Sequence, residues 1–260
     1  MLTASLFTGA VSETLLKPQG FAFDDPEIFI DNHDRAFIIV EGDTIHIAFL
    51  PMPDSPKHYG PLQDEDFVEI AEELGVEAAA IRAVVDIETG KTHRGFYAED
   101  KPVINFDLAV FRKAAARRKV DLKPFADSPA LRPLDMRKYG GHQPAMQARL
   151  DAAMEIDFLT AMESTFWGMF QLGGFNWKLC GAESPQDFVR RMSRSEYDQL
   201  KLFANFIRNT GLLPHLKNRN WAAFSKIYNG PGYAARGYHT RMASAYKRYK
   251  SQERTKSTDK

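Results

Sequence analysis

A carboxylic acid that stays protonated near neutral pH can donate a proton to a leaving oxygen, which is the task that glycoside hydrolysis sets a side chain. Glu88 has the surroundings for it. The run Val76–Ile87 reads as an apolar helix that breaks at Thr89-Gly90, placing Glu88 at its C-terminal end. The negative end of a helix dipole disfavours a second negative charge, and aromatic neighbours such as Phe96 or Trp167 would add desolvation. Both effects raise a carboxyl pKa. Most helix-end glutamates are simply exposed, so Glu88 needs partners before it means anything.

A second carboxylate would activate water or stabilise an oxocarbenium-like centre. Asp107 is the first candidate, because it closes the segment Pro102–Phe106 shortly after Glu88. Asp107 reads equally well as the N-cap of a helix over Leu108–Lys119, and one residue can serve both roles. Asp86 lies two positions from Glu88 on a helix and faces away from it. Glu99 and Asp100 look like turn residues. Further along come Trp167-Gly168-Met169-Phe170-Gln171 and Tyr228-Asn229-Gly230-Pro231-Gly232-Tyr233. Gln171, Tyr228 and Asn229 offer neutral hydrogen-bonding groups suited to sugar hydroxyls and N-acetyl groups. Trp167, Tyr139 and Tyr233 offer rings on which a sugar can stack, although aromatic residues in a helical protein are more often core.

The elements that must position these groups are mostly helical. Asp64 or Asp66 can cap a helix through Leu74 that Gly75 ends, and Val76–Glu88 follows. Apolar residues at helical spacing (Met146, Leu150, Met154, Phe158, Met162) predict one helix over 144–162. Ser184-Pro185 opens a helix through Met192, and another runs from Ser195 to Asn209, stopped by Gly211. Trp221–Tyr228 and Tyr238–Tyr249 complete the set. Residues 95–107 have room for a short hairpin. Before all this, residues 28–30, 36–40 and 44–49 read as strands, and Pro51, Pro53, Pro56 and Pro61 mark a linker. The expected division is a β-rich segment with its linker over 1–62, a helical catalytic domain over 63–250 and a basic polar tail over 251–260.

Composition narrows the function. Apolar content of 44% and charged content of 26% are ordinary for a globular chain, and no run nears the roughly 18 uncharged apolar residues of a membrane span. The N-terminus lacks a basic n-region, so no secretory signal is expected. One cysteine, Cys180, allows neither an internal disulfide nor a multi-thiolate site, and the seven histidines lack ligand spacing, so no structural metal is expected. Net charge is zero, but residues 1–64 carry −7 and the remainder +7, a polarity that suits an anionic partner surface on the C-terminal side.

From about Asp64 to Tyr249 the chain resembles the N-acetylmuramidase domain of phage endolysins. The resemblance rests on Ala80–Val84, Glu88-Thr89-Gly90, Arg94-Gly95-Phe96, Phe106-Asp107, the Trp167–Gln171 stretch with Gly174-Phe175-Asn176, and Tyr228–Ala234. It implies a lysozyme-like, mainly α fold with a small β hairpin and Glu88 as catalytic acid. The substrate it implies is peptidoglycan, cut at the bond between N-acetylmuramic acid and N-acetylglucosamine, with no cofactor and no nucleic acid. The expected enzyme is a monomer made in the cytoplasm that reaches the periplasm through a holin or a secretion machine. Family members usually carry serine and a second glycine after the glutamate, glutamate where Asp107 stands and serine where Phe166 stands. A shorter second carboxylate leaves a wider gap, which favours inversion with Asp107 positioning water. A lytic transglycosylase, an injected antibacterial toxin and a non-catalytic glycan-binding relative are the rival readings. Residues 1–62 do not resemble the usual peptidoglycan-binding module.

Overall fold

The computed structural model describes the strand backbones at 12–16, 35–41 and 44–50, and residues 60–89, 94–133 and 143–258. The chain divides into two compact units, Met1–Lys57 and His58–Lys260. In the first, β1 (Ser12–Leu16), β2 (Arg35–Glu41) and β3 (Thr44–Leu50) form an antiparallel sheet in the order β1-β3-β2. The two longer strands sit where the β-branched runs predict them. The strand expected at 28–30 lies outside the described residues.

The second unit is helical, with two small sheets. Helix α1 (Asp64–Leu74) starts differently from expectation: Gln63 is the N-cap, and the Asp66 carboxylate accepts the Gln63 backbone N–H at 2.7 Å. Asp64 and Asp66 therefore sit inside the first turn, where negative charge suits the helix dipole. Gly75 ends α1 in the left-handed region (φ 63°), as its position suggests. Helix α2 (Ala78–Glu88) buries Ala79, Ala80, Ile81, Ala83, Val84 and Val85. Small residues on that face let neighbouring helices approach closely.

Strands β4 (Phe96–Ala98) and β5 (Lys101–Pro102) make the expected hairpin. Strand β6 (Ile104–Phe106) leaves it and pairs instead with β7 (Thr165–Trp167), which in turn pairs with β8 (Leu172–Gly173). That sheet ties the segment before α3 (Leu108–Arg118) to the Trp167–Gln171 motif, with Ile104 opposite Trp167. No local pattern announces a pairing across this sequence distance. The helix expected over 144–162 is two, α4 (Gln143–Met154) and α5 (Phe158–Glu163). The reason is Asp157, whose side chain accepts the Thr160 N–H and starts a new helix, so one apolar stripe serves both.

Helix α6 (Pro185–Met192) begins at the expected cap Ser184, and Ser195, expected as the first residue of the next helix, is the cap of α7 (Glu196–Asn209); each serine accepts the backbone N–H three residues on. A short α8 (Leu213–Lys217), absent from the sequence expectation, precedes α9 (Trp221–Asn229). The last helix, α10, spans Tyr238–Thr258 and continues through most of the segment expected to be a polar tail. Lys250 anchors it, pairing with Glu77 at 2.7 Å and with Glu253 at 3.5 Å. The core is one cluster in which Phe111, Phe188, Phe203 and Phe224 are fully buried.

Candidate active site

Glu88 is the last residue of α2 and Asn229 the last of α9, so two helix C-termini meet. The Asn229 amide donates to Glu88 Oε1 at 2.9 Å. Glu88 is half-buried, and its carboxyl pKa is pushed up from 4.5 to about 7, with loss of solvation the main cause. The Asn229 hydrogen bond and the positive charge of Arg241 pull the other way and are outweighed. Near neutral pH the carboxyl is thus about half protonated, the poise a general acid needs. Thr89 closes the helix by donating both its N–H (3.0 Å) and its hydroxyl (2.7 Å) to the Val85 carbonyl. That occupies one of the terminal carbonyls and leaves burial, more than the dipole, to set the carboxyl.

The second motif divides its residues between core and site. Trp167 is only 3% exposed and donates its indole N–H to the Met162 carbonyl at 3.0 Å. A sugar cannot stack on it; this corrects the expectation, and the alternation of β7 is the reason, since Thr165 and Trp167 both face the core. Phe170 is buried and stacks on Phe203 with centroids 4.2 Å apart. Gln171 is exposed, in left-handed backbone (φ 47°), and its amide folds back to donate to the Gly168 carbonyl at 2.9 Å.

Tyr228 is half-buried and bonded within the protein. Its hydroxyl donates to the Phe170 carbonyl at 2.8 Å, while its ring packs among Phe203, Phe206 and Phe224. Burial drives its pKa well above the ordinary phenol value, with the charge of Glu88 a lesser contribution. Tyr228 therefore locks α9 to the Trp167–Gln171 turn and so places Asn229 on Glu88. Tyr233 packs edge-on against His239. Tyr139 lies outside the described residues.

Asp107 is the N-cap of α3. Its Oδ1 accepts from the N–H groups of Ala109 (2.8 Å) and Val110 (3.0 Å). Of its two readings from sequence, the cap is the one whose geometry is present.

Two residues that sequence reasoning passed over hold these pieces together. Gln199 is fully buried in α7; it accepts from Met169 N–H at 2.8 Å and donates to the carbonyls of Met192 (2.8 Å) and Gly95 (3.3 Å). A Cβ on Gly95 would fall 2.4 Å from its Oε1, and one on Gly168 2.7 Å from its Cδ, so both glycines make room for this amide. Glu196, one turn earlier, accepts from Gly95 N–H at 2.7 Å and Leu62 N–H at 3.3 Å. The signal was a periodic one. Positions 196, 199, 203 and 207 share a helix face on which Phe203 and Ile207 are core, and polar residues on such a face need buried partners.

Among the described residues, no group of three His, Cys, Asp or Glu side chains is arranged to hold a metal ion. Cys180 is buried, and burial pushes its thiol up to about 12, which leaves it almost wholly in the un-ionised, weakly nucleophilic form.

Comparison with known proteins adds three findings. A family model described as N-acetylmuramidase matches residues 77–250. No curated protein matches the chain. Among solved structures, the crystal structure of the Burkholderia AP3 phage endolysin is similar, with 34% sequence identity over 74% of this chain and 72% of that one and a TM-score of 0.64.

Proposed function

We propose that this chain, which belongs to the N-acetylmuramidase family, cuts its glycan with Glu88 as the general acid. It is a peptidoglycan-degrading muramidase of lysozyme type, and the rival readings are not favoured. The single observation that carries the assignment to Glu88 is a desolvated helix-end carboxyl with a pKa of about 7, held by Asn229. In the first step the Glu88 carboxyl gives its proton to the bridging oxygen at the muramyl C1. The C1–O bond breaks, its electron pair stays on the departing N-acetylglucosamine O4, and positive charge develops at C1. Water adds to C1, and its proton restores the Glu88 carboxyl.

Asn229 in this reading keeps one carboxyl oxygen fixed, so the proton sits on the other. Gln171, on the exposed turn beside that site, is the residue we assign to sugar hydroxyl or N-acetyl groups. The likeness to a phage endolysin fits action at the cell wall; delivery through a holin or secretion route, action in the periplasm and a monomeric state belong to this proposal.

The direct test is digestion of purified sacculi followed by mass spectrometry. Hydrolysis leaves reducing muramyl ends. Products lighter by one water, the 1,6-anhydro form, would replace the hydrolase with a transglycosylase.

Asp107 is proposed as a cap alone, and its variants separate charge from capping. Asn caps a helix as well as Asp does, so Asp107→Asn should keep both stability and lytic rate within a few-fold. Asp107→Ala should lose about 1 kcal/mol of unfolding free energy. A large rate loss in Asp107→Asn at unchanged stability would make its carboxylate the second catalytic group. An α-anomeric first product by NMR, the mark of inversion, would argue the same way.

A further inference from the structure

Helix α10 turns Thr240, Arg241, Ser244 and Arg248 toward the end of α2, and spacings of three and four put them along one side. With Asp86 and Ile87 of α2 they line a recess of about 290 Å³ that opens to solvent. Its charges do not cancel. Arg248 pairs with Asp86 at 2.5 Å, and the Thr240 hydroxyl donates to the Gly237 carbonyl. Arg241 forms no ion pair among the described residues; its guanidinium lies 4.8 Å from the centroid of the Tyr238 ring, which steadies it. The lining of the recess therefore carries two guanidinium groups against one carboxylate, beside two hydroxyls. It adjoins the catalytic acid: Ile87 lines it, Glu88 is the next residue, and the Arg241 charge is felt at the Glu88 carboxyl.

The chemistry of the substrate supplies an anion at that place. The sugar whose C1 lies at Glu88 is muramic acid, and its C3 bears a lactyl ether. In intact peptidoglycan that arm continues into a stem peptide with free carboxylates, and in peptide-stripped glycan it ends in its own carboxylate. N-acetylglucosamine has no such arm. We propose that the recess between α2 and α10 is the subsite for the anionic C3 substituent of the muramyl ring, with Arg241 as the cation that recognises it. This rests on the muramidase reading. Arg241 would then make the enzyme cut on the muramyl side of the chain's two alternating bonds, because only that register pairs the carboxylate with the guanidinium.

The test compares kcat/KM of wild type and Arg241→Ala on three glycans. One carries intact stem peptides, one has been stripped by an amidase to the free lactyl carboxylate, and one is stripped and then has that carboxylate converted to a neutral methylamide. Losing Arg241 also shifts Glu88, but that change is common to all three, so the neutral glycan gives the baseline. Relative to it, the variant should lose roughly five- to tenfold on at least one anionic glycan, mainly in KM, the size of one charge-assisted contact at a partly exposed site. Loss on the first glycan alone assigns the stem-peptide carboxylate, and loss on the second assigns the lactyl one. Arg241→Lys should recover part of the loss. Calorimetric binding of the stripped and methylamidated strands to Glu88→Gln, with and without Arg241→Ala, should repeat the pattern without turnover. An equal loss on all three glycans overturns the subsite while leaving the muramidase standing. A wild type that opens none of them removes the muramidase reading, and the subsite with it.

Discussion

Glu88→Gln should lower lytic activity at least about a hundredfold while the protein folds and binds sacculi, because the amide keeps the shape and loses the proton that cleavage requires. Gln at this position can still accept the Asn229 amide, so the neighbourhood has no reason to rearrange. The same substitution carries a thermodynamic signature. The Glu88 carboxyl ionises near pH 4.5 when the chain is unfolded and near pH 7 when folded. Between those values the folded state holds a proton that the unfolded state has released, so stability falls as pH rises through this window and levels off above about 7. The cost of the buried charge is about 2–3 kcal/mol, discounted for partial exposure. Wild type and Glu88→Gln should thus unfold alike at pH 4, and the variant should be the more stable at pH 8. Urea titrations at the two pH values measure the difference. Activity within a few-fold of wild type removes Glu88 from the chemistry, and a stability gap that ignores pH removes the raised pKa.

Gln199→Leu is the substitution expected to cost the fold most. Leucine fills a similar volume but strands the Met169 N–H and takes the side-chain donor from the Met192 carbonyl, while the Gly95 carbonyl loses one of two donors and keeps the Val103 N–H at 2.8 Å. Each buried polar group left without a partner costs about 1–3 kcal/mol, so the expected loss is about 3 kcal/mol or more. Gln199→Glu should fare no better, since it keeps the acceptor for Met169 but turns two donations into contacts between a carboxylate and carbonyl oxygens. Activity should fall further than the folded fraction does, because Gly95 and Met169 belong to the two segments that Gln199 joins. Denaturant unfolding within 1 kcal/mol of wild type for either variant would show that this amide does not organise the site.

The legible parts of this molecule were those whose causes are local. Ser184, Ser195 and Gly75 mark helix ends through their own side chains or lack of one, and they do so in the structure. The direction of the Glu88 shift was readable from the aromatic residues expected around it, not from its helix-end position alone. What escaped was pairwise and distant. The partnership of β6 with β7 joins residues some 60 positions apart (Ile104 with Trp167). Trp167 was misplaced because ring chemistry suggests stacking, whereas strand alternation, knowable only once β7 is known, turns it inward. The aromatic motif residues are mostly struts: Phe170 and Tyr228 hold the frame, and Asn229 beside them touches the acid. Asp107 fitted two roles because a cap and a catalytic carboxylate ask for the same residue type.

The fit of Gly95 and Gly168 around the Gln199 amide also bears on how such a chain can diverge. Any side chain at either glycine collides with that amide, and shortening residue 199 to relieve the collision abandons its backbone partners. Each single step away from the trio passes through a damaged protein, so lineages are channelled into keeping all three residues or exchanging them together. An engineer seeking altered glycan preference should therefore leave 95, 168 and 199 as one inherited unit.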